Sequence, residues 1–146
     1  MSRVQLALNV SNIDEAVEFY RRFFGTEPAK RRPGYANFAI ADPPLKLVLI
    51  EGVGEPGTLN HVGIEVGSTG EVVTEGARLK REGFDLRHED GVTCCYAVQD
   101  KFWVTGADQR EWEIYTVLAD APASVESPAP QPTAATACCP EKPATT

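Results

Sequence analysis

Along this chain the apolar residues switch from a period of two to a helical stretch twice, and in the same way each time. The segment "VQLALNVSNIDEAVEFYRRFFG" begins with Val4, Leu6, Leu8 and Val10 at alternate positions, and the later "HVGIEVGSTGEVVTEGARLKREG" begins with Val62, Ile64 and Val66. Alternation of this kind predicts a short strand with one apolar face in each segment. Each strand then meets a serine with an acidic residue three positions on, Ser11 with Asp14 and Ser68 with Glu71. That spacing predicts a helix N-terminus. Both helices are expected to stop at a glycine, Gly25 and Gly83. The two segments form a degenerate internal repeat.

Further strand patterns follow each helix: "YANFAIA" and "LKLVLIE" in the first half, then "CCYAVQ", "FWVTG" and "WEIYTVL" in the second. Two β-α-β-β-β copies predict an α+β fold in which two strongly curved sheets enclose a cleft. The expected modules are 1–52 and 61–119, joined by the Gly- and Pro-rich stretch Gly52 to Asn60.

Alternation also assigns faces. With Val4, Leu6 and Leu8 under the first helix, Gln5, Ala7 and Asn9 point the other way. His61 opposes Val62, and Glu113 and Tyr115 oppose Trp112, Ile114 and Thr116. Gln5 and His61 occupy matching places in the two copies. An amide, an imidazole and a carboxylate on the inward faces of three strands make a candidate metal-binding triad. Each residue also fits a plainer role: an exposed glutamine, a hydrogen-bonded structural histidine, a solvated glutamate. His88, in "RHEDG", is expected at the surface.

Composition narrows the class. The length of 146 residues and 42% hydrophobic content suit one globular domain, here 1–119. A net charge of -7, with 14 basic residues among 21 acidic ones, argues against nucleic acid and for a small ligand or a protein as partner. No apolar run approaches the roughly 20 residues of a membrane helix, so no membrane partner is expected. From Asp120 the composition changes: "DAPASVESPAPQPTAATACCPEKPATT" has six of the eleven prolines and no aromatic residue. Residues 120–146 read as a disordered tail.

The four cysteines form two adjacent pairs, Cys94 with Cys95 and Cys138 with Cys139. Neighbouring residues are too close for an unstrained disulfide, and no stretch reads as a secretory signal. The expectation is a cytoplasmic location and free thiols.

At this point the motifs carry a resemblance. The paired modules with Gln5, His61 and Glu113 resemble the vicinal oxygen chelate superfamily of glyoxalases, bleomycin and fosfomycin resistance proteins and dioxygenases. More narrowly, "RVQLALNV", "PGYANFAIADPPLKLVLIE", "LNHVGIEV", "TCCYAVQDKFWVTG" and "WEIYTVLAD" resemble the organoarsenical carbon-arsenic lyases and the related cadmium-induced proteins. The resemblance implies a non-haem iron lyase that uses Fe(II) and dioxygen to cleave the carbon-arsenic bond of trivalent organoarsenicals such as methylarsenite, releasing arsenite. It implies Gln5, His61 and Glu113 as metal ligands and Cys94 with Cys95 as the arsenic-binding thiols.

Soft trivalent arsenic suits paired thiolates. Side chains of adjacent strand residues diverge, so Cys94 and Cys95 are expected on a loop or bulge after the turn signal Glu89 to Gly91, in a mobile stretch. Tyr35, Asn37, Phe102, Trp103 and Tyr115 are candidates for pocket walls or, equally, for core. Cys138 and Cys139 are candidates for metalloid capture on the tail. Glyoxalase-like members take a fourth ligand from the last strand of the first module, where this chain offers only Lys46. Two other functions stay open: a non-catalytic cadmium- or arsenic-binding protein, and a glyoxalase-like isomerase or thiol transferase. The assembly is expected to be a monomer or a homodimer.

Overall fold

A computed structural model describes residues 2–94 and 97–120, with the backbone alone at 94 and 120. Cys95, and the tail beyond Asp120 with Cys138 and Cys139, lie outside the described residues. The elements run β1 (Arg3–Val10), α1 (Ile13–Phe24), β2 (Lys30–Arg32), β3 (Tyr35–Ile40), β4 (Leu45–Glu51), β5 (Leu59–Glu65), α2 (Thr69–Arg81), β6 (Leu86–Cys94), β7 (Ala97–Thr105) and β8 (Glu111–Asp120). This is a mixed α+β fold with the order β-α-β-β-β twice over. The described residues gather into two compact units, 3–62 and 63–120, and Ser2 goes with the second. The division falls within β5, so His61 belongs to the same unit as Gln5.

In the first unit the strands lie in the order β2-β3-β4-β1. β1 and β4 are parallel, with Gln5 opposite Lys46 and Asn9 opposite Ile50. α1 covers one face, where Val17, Phe38, Leu47 and Leu49 are buried, with Leu6, Leu8 and Tyr20 packed against them. The expected faces of β1 hold, with one reversal of emphasis. Gln5, Ala7 and Asn9 are more deeply buried than Leu6 and Leu8, while Val4 is exposed. The polar face is an interior one.

The cap of α1 differs from expectation. Asn12, not Ser11, is the N-cap: its Oδ1 accepts from the Glu15 backbone N–H at 3.0 Å. The helix starts one residue later because Glu51 Oε2 accepts the Ile13 N–H at 2.8 Å, and asparagine caps as well as serine. α1 does end on Gly25, at φ 63°.

α2 follows the sequence signal. Ser68 Oγ accepts from the Glu71 N–H at 3.2 Å, and Glu71 Oε2 accepts the Gly67 N–H at 2.6 Å. At its other end Gly83 has φ 90°. The Gly83 N–H donates to Lys80 O and the Phe84 N–H to Leu79 O, a Schellman closure that needs a left-handed residue.

In the second unit the order is β8-β7-β6, antiparallel throughout. Val72, Phe102, Val104 and Ile114 form its buried cluster, with Ile64 and Leu79 beside them. The strand boundaries expected here need correction. "CCYAVQ" and "FWVTG" are not two strands: Ala97–Thr105 is one strand, β7. The charged segment around "RHEDG" is strand β6 rather than a turn. Asp100 and Lys101 look like a break only while their partners are unknown. Asp100 accepts from the Gly91 N–H and from Thr69 Oγ1, and Lys101 is paired internally. β6 carries an irregularity between Glu89 and Val92 instead of a turn, with Gly91 at φ 60°. His88 is exposed, as expected.

Candidate functional site

Gln5 and His61 come together in the first unit. Both are buried, and Gln5 Nε2 stands 3.1 Å from His61 Nε2. The other ring nitrogen, Nδ1, lies 2.8 Å from Asn60 Oδ1. Asn60 directs its Nδ2 to Asn9 Oδ1 at 3.1 Å, which leaves its oxygen facing the imidazole. An oxygen can only accept, so His61 carries its proton on Nδ1 and presents a lone pair on Nε2. Asn9 in turn donates from Nδ2 to Thr58 Oγ1 at 3.0 Å. Its backbone bonds Thr58 O and the Gly57 N–H.

The chain of amides therefore runs from the β4–β5 connection to the imidazole. Gly54 closes it. A Cβ there would fall 2.4 Å from Asn9 Nδ2, so only a glycine lets the backbone approach the amide this closely.

The donor set fits a metal ion. The Gln5 amide donates to the His61 lone pair as the structure stands. A half-turn of that amide puts Oε1 in place of Nε2, and two acceptors roughly 3 Å apart have the spacing of neighbouring ligands at about 2.1 Å from one cation. Lys46, opposite Gln5 on β4, is half-buried and offers an ammonium, not a ligand oxygen. Among the described residues no three His, Cys, Asp or Glu side chains form a group suited to metal.

Glu113 is buried in the second unit, held by a residue that sequence reasoning passed over. Lys101, fully buried, donates from Nζ to Glu113 Oε1 at 3.2 Å and lies 3.8 Å from Glu89 Oε2. The three charges sit on adjacent strands. Glu89 is opposite Lys101 in the β6–β7 register, and Trp103 is opposite Glu113 in the β7–β8 register. Lys101 Nζ is also 5.4 Å from the Trp103 ring centroid, within cation–π reach. The available signal was a single charge in the apolar run "KFWV", on the same face as Trp103.

The other candidates fall as follows. Tyr35 and Asn37 are buried on the β3 face opposite the α1 core, joined by Asn37 Nδ2 to Tyr35 Oη at 3.0 Å. Tyr115 donates to Glu65 Oε2 at 3.0 Å. Trp103 shares the Glu113 face, whereas Phe102 faces the other way, into the apolar cluster beneath α2. Cys94 ends β6, opposite Ala97 at the start of β7.

The model of one protein family, glyoxalase/bleomycin resistance protein/dioxygenase, matches residues 3–132. The chain belongs to that superfamily. It is 63% identical over 120 residues to the cadmium-induced protein CadI of Mycobacterium tuberculosis, covering 82% of this chain and 79% of that one. It is 57% identical over 122 residues to the trivalent organoarsenical cleaving enzyme of Thermomonospora curvata, covering 83% and 81%. Among solved structures, the Mn(II)-bound glyoxalase of Novosphingobium aromaticivorans matches with a TM-score of 0.55 at 18% identity, over 83% of this chain and 42% of that one. At that identity the likeness concerns the fold alone. Among the described residues no helix is long and apolar enough to cross a membrane.

Proposed function

We propose that this protein is an Fe(II)- and dioxygen-dependent enzyme that cleaves the carbon-arsenic bond of trivalent organoarsenicals such as methylarsenite and releases arsenite. The observation that carries the reading is the buried Gln5–His61 pair, with the imidazole lone pair fixed against the amide by Asn60. The relative named as a trivalent organoarsenical cleaving enzyme supplies the substrate class.

In this reading Gln5, His61 and Glu113 hold the iron, and Cys94 and Cys95 hold the arsenic. Iron with dioxygen supplies the oxidising chemistry at the organic carbon. The chain's own residues bind and orient. Each thiol replaces a hydroxyl on arsenic and releases water, so a bis-thiolate fixes the metalloid with its organic group free to point away from the sulfurs. Soft sulfur is the matched ligand for this step.

The β6–β7 hairpin then has a task of its own. Ala97, opposite Cys94, and Trp103, opposite Glu113, are six residues apart on β7, roughly 20 Å at about 3.3 Å per residue. Two irregularities of register fall between these points, at Glu89/Val92 and at Val98/Gln99. A hairpin that bends there would carry arsenic toward Glu113.

The test is to incubate iron-loaded protein with methylarsenite in air and follow arsenite. Arsenite in catalytic amounts is expected. Stoichiometric capture of methylarsenite without arsenite would instead identify a metalloid- or cadmium-sequestering protein, the reading that the name of the mycobacterial relative favours.

A further inference from the structure

Lys101 is a fully buried ammonium. Taking an ammonium out of water is costly, and an apolar residue of similar size usually serves a core as well or better. The charge is retained here between two carboxylates, and the outer one is incompletely satisfied: Glu89 Oε1 is buried with no hydrogen-bond partner among the described residues. The bond to Glu113 uses the carboxylate that the functional reading assigns to the metal.

Resting on that reading, we propose that Lys101 is a built-in competitor for Glu113. It occupies the carboxylate when no metal is bound and keeps the affinity for a divalent cation low, so that the metal exchanges.

Two effects oppose each other when Lys101 is removed. Glu113 loses the bond that orients it, which weakens metal binding by the equivalent of one charged hydrogen bond. The cation also loses a positive neighbour that shared its carboxylate. That repulsion scales with the double charge of the metal and is little screened between buried groups. The second effect is the larger, so removing the ammonium tightens binding. Arginine keeps the charge, and should keep the weak affinity.

The experiment is Mn(II) titration of the metal-free full chain, free of oxygen, followed by electron paramagnetic resonance. Lys101→Met is expected to bind Mn(II) at least tenfold more tightly than wild type, and Lys101→Arg within about threefold of it. Lys101→Met removes the ammonium that both buried carboxylates face and risks misfolding, so the double variant Lys101→Met/Glu89→Gln is measured beside it. That protein has one carboxylate and no ammonium in place of two carboxylates and one ammonium. The cluster's net charge is unchanged, and the competition at Glu113 is gone.

Tighter binding in the double variant supports the competitor. Unchanged or weaker binding there overturns it, even if the single variant tightens, because overall charge would then be the cause. Glu113→Gln separates this proposal from the reading beneath it. Loss of Mn(II) binding in that variant keeps Glu113 as a ligand, whereas retained binding sinks the assignment of the site itself.

Discussion

Asn60 Oδ1 lies 2.8 Å from His61 Nδ1, and this contact between sequence neighbours fixes the tautomer of the histidine. Partners of this kind commonly change metal affinity 10- to 100-fold when removed. Asn60→Ala should therefore lower Mn(II) affinity by about that factor, with the circular dichroism spectrum unchanged. Asn60→Asp, which keeps an acceptor in place, should restore most of it.

His61→Ala and Glu113→Gln should each abolish arsenite release from methylarsenite while leaving a folded domain. Neither side chain belongs to the apolar clusters under the helices. Activity together with circular dichroism and metal content checks this. A variant that loses its metal and keeps its turnover would remove that residue from the site.

Cys94→Ser or Cys95→Ser should weaken methylarsenite binding severely and leave Mn(II) affinity as it was. A hydroxyl is a hard, weakly ionised ligand where arsenic needs soft thiolate. Both affinities are measured on one preparation. Unchanged methylarsenite affinity would end the thiol-clamp assignment.

Gly54→Ala should act at a distance. The added methyl meets the Asn9 amide, so the loop or the amide must move, at a cost of about 1–3 kcal/mol. Because Asn9 supports Asn60, Mn(II) affinity should fall together with the melting temperature.

Phe102→Ala should cost about 3–5 kcal/mol of stability, as expected for a large aromatic ring lost from a packed core. Its Mn(II) affinity should stay near that of wild type. Denaturant unfolding and metal titration on the same protein distinguish this core role from that of Trp103, one residue away on the opposite face.

The repeat was readable because each copy writes its strand and helix in local patterns, and Gly25, Ser68 and Gly83 act as the sequence indicates. The β7 strand was not readable for the opposite reason. Asp100 and Lys101 break an apolar run unless Gly91, Thr69, Glu89 and Glu113 are known to stand beside them, and those partners are distant in sequence. The same holds at the candidate site. Gln5 and His61 could be paired from the repeat, since symmetry is a local signal. Asn9, Asn60 and Lys101 act only through contacts that the fold creates. The shift from Ser11 to Asn12 at the first cap likewise depends on Glu51, a residue from another strand.

The parallel pairing that sets Lys46 beside Gln5 has an evolutionary reading. A duplicated module begins with the same side chains in both copies, and each copy is then free to drift. In this chain the closing strand of the first copy bears a cation and that of the second bears the Glu113 carboxylate. Divergence of that kind turns a symmetric ancestor into a lopsided descendant. Lys46 and Glu113 then mark where the closing strands of the two copies came to carry opposite charges.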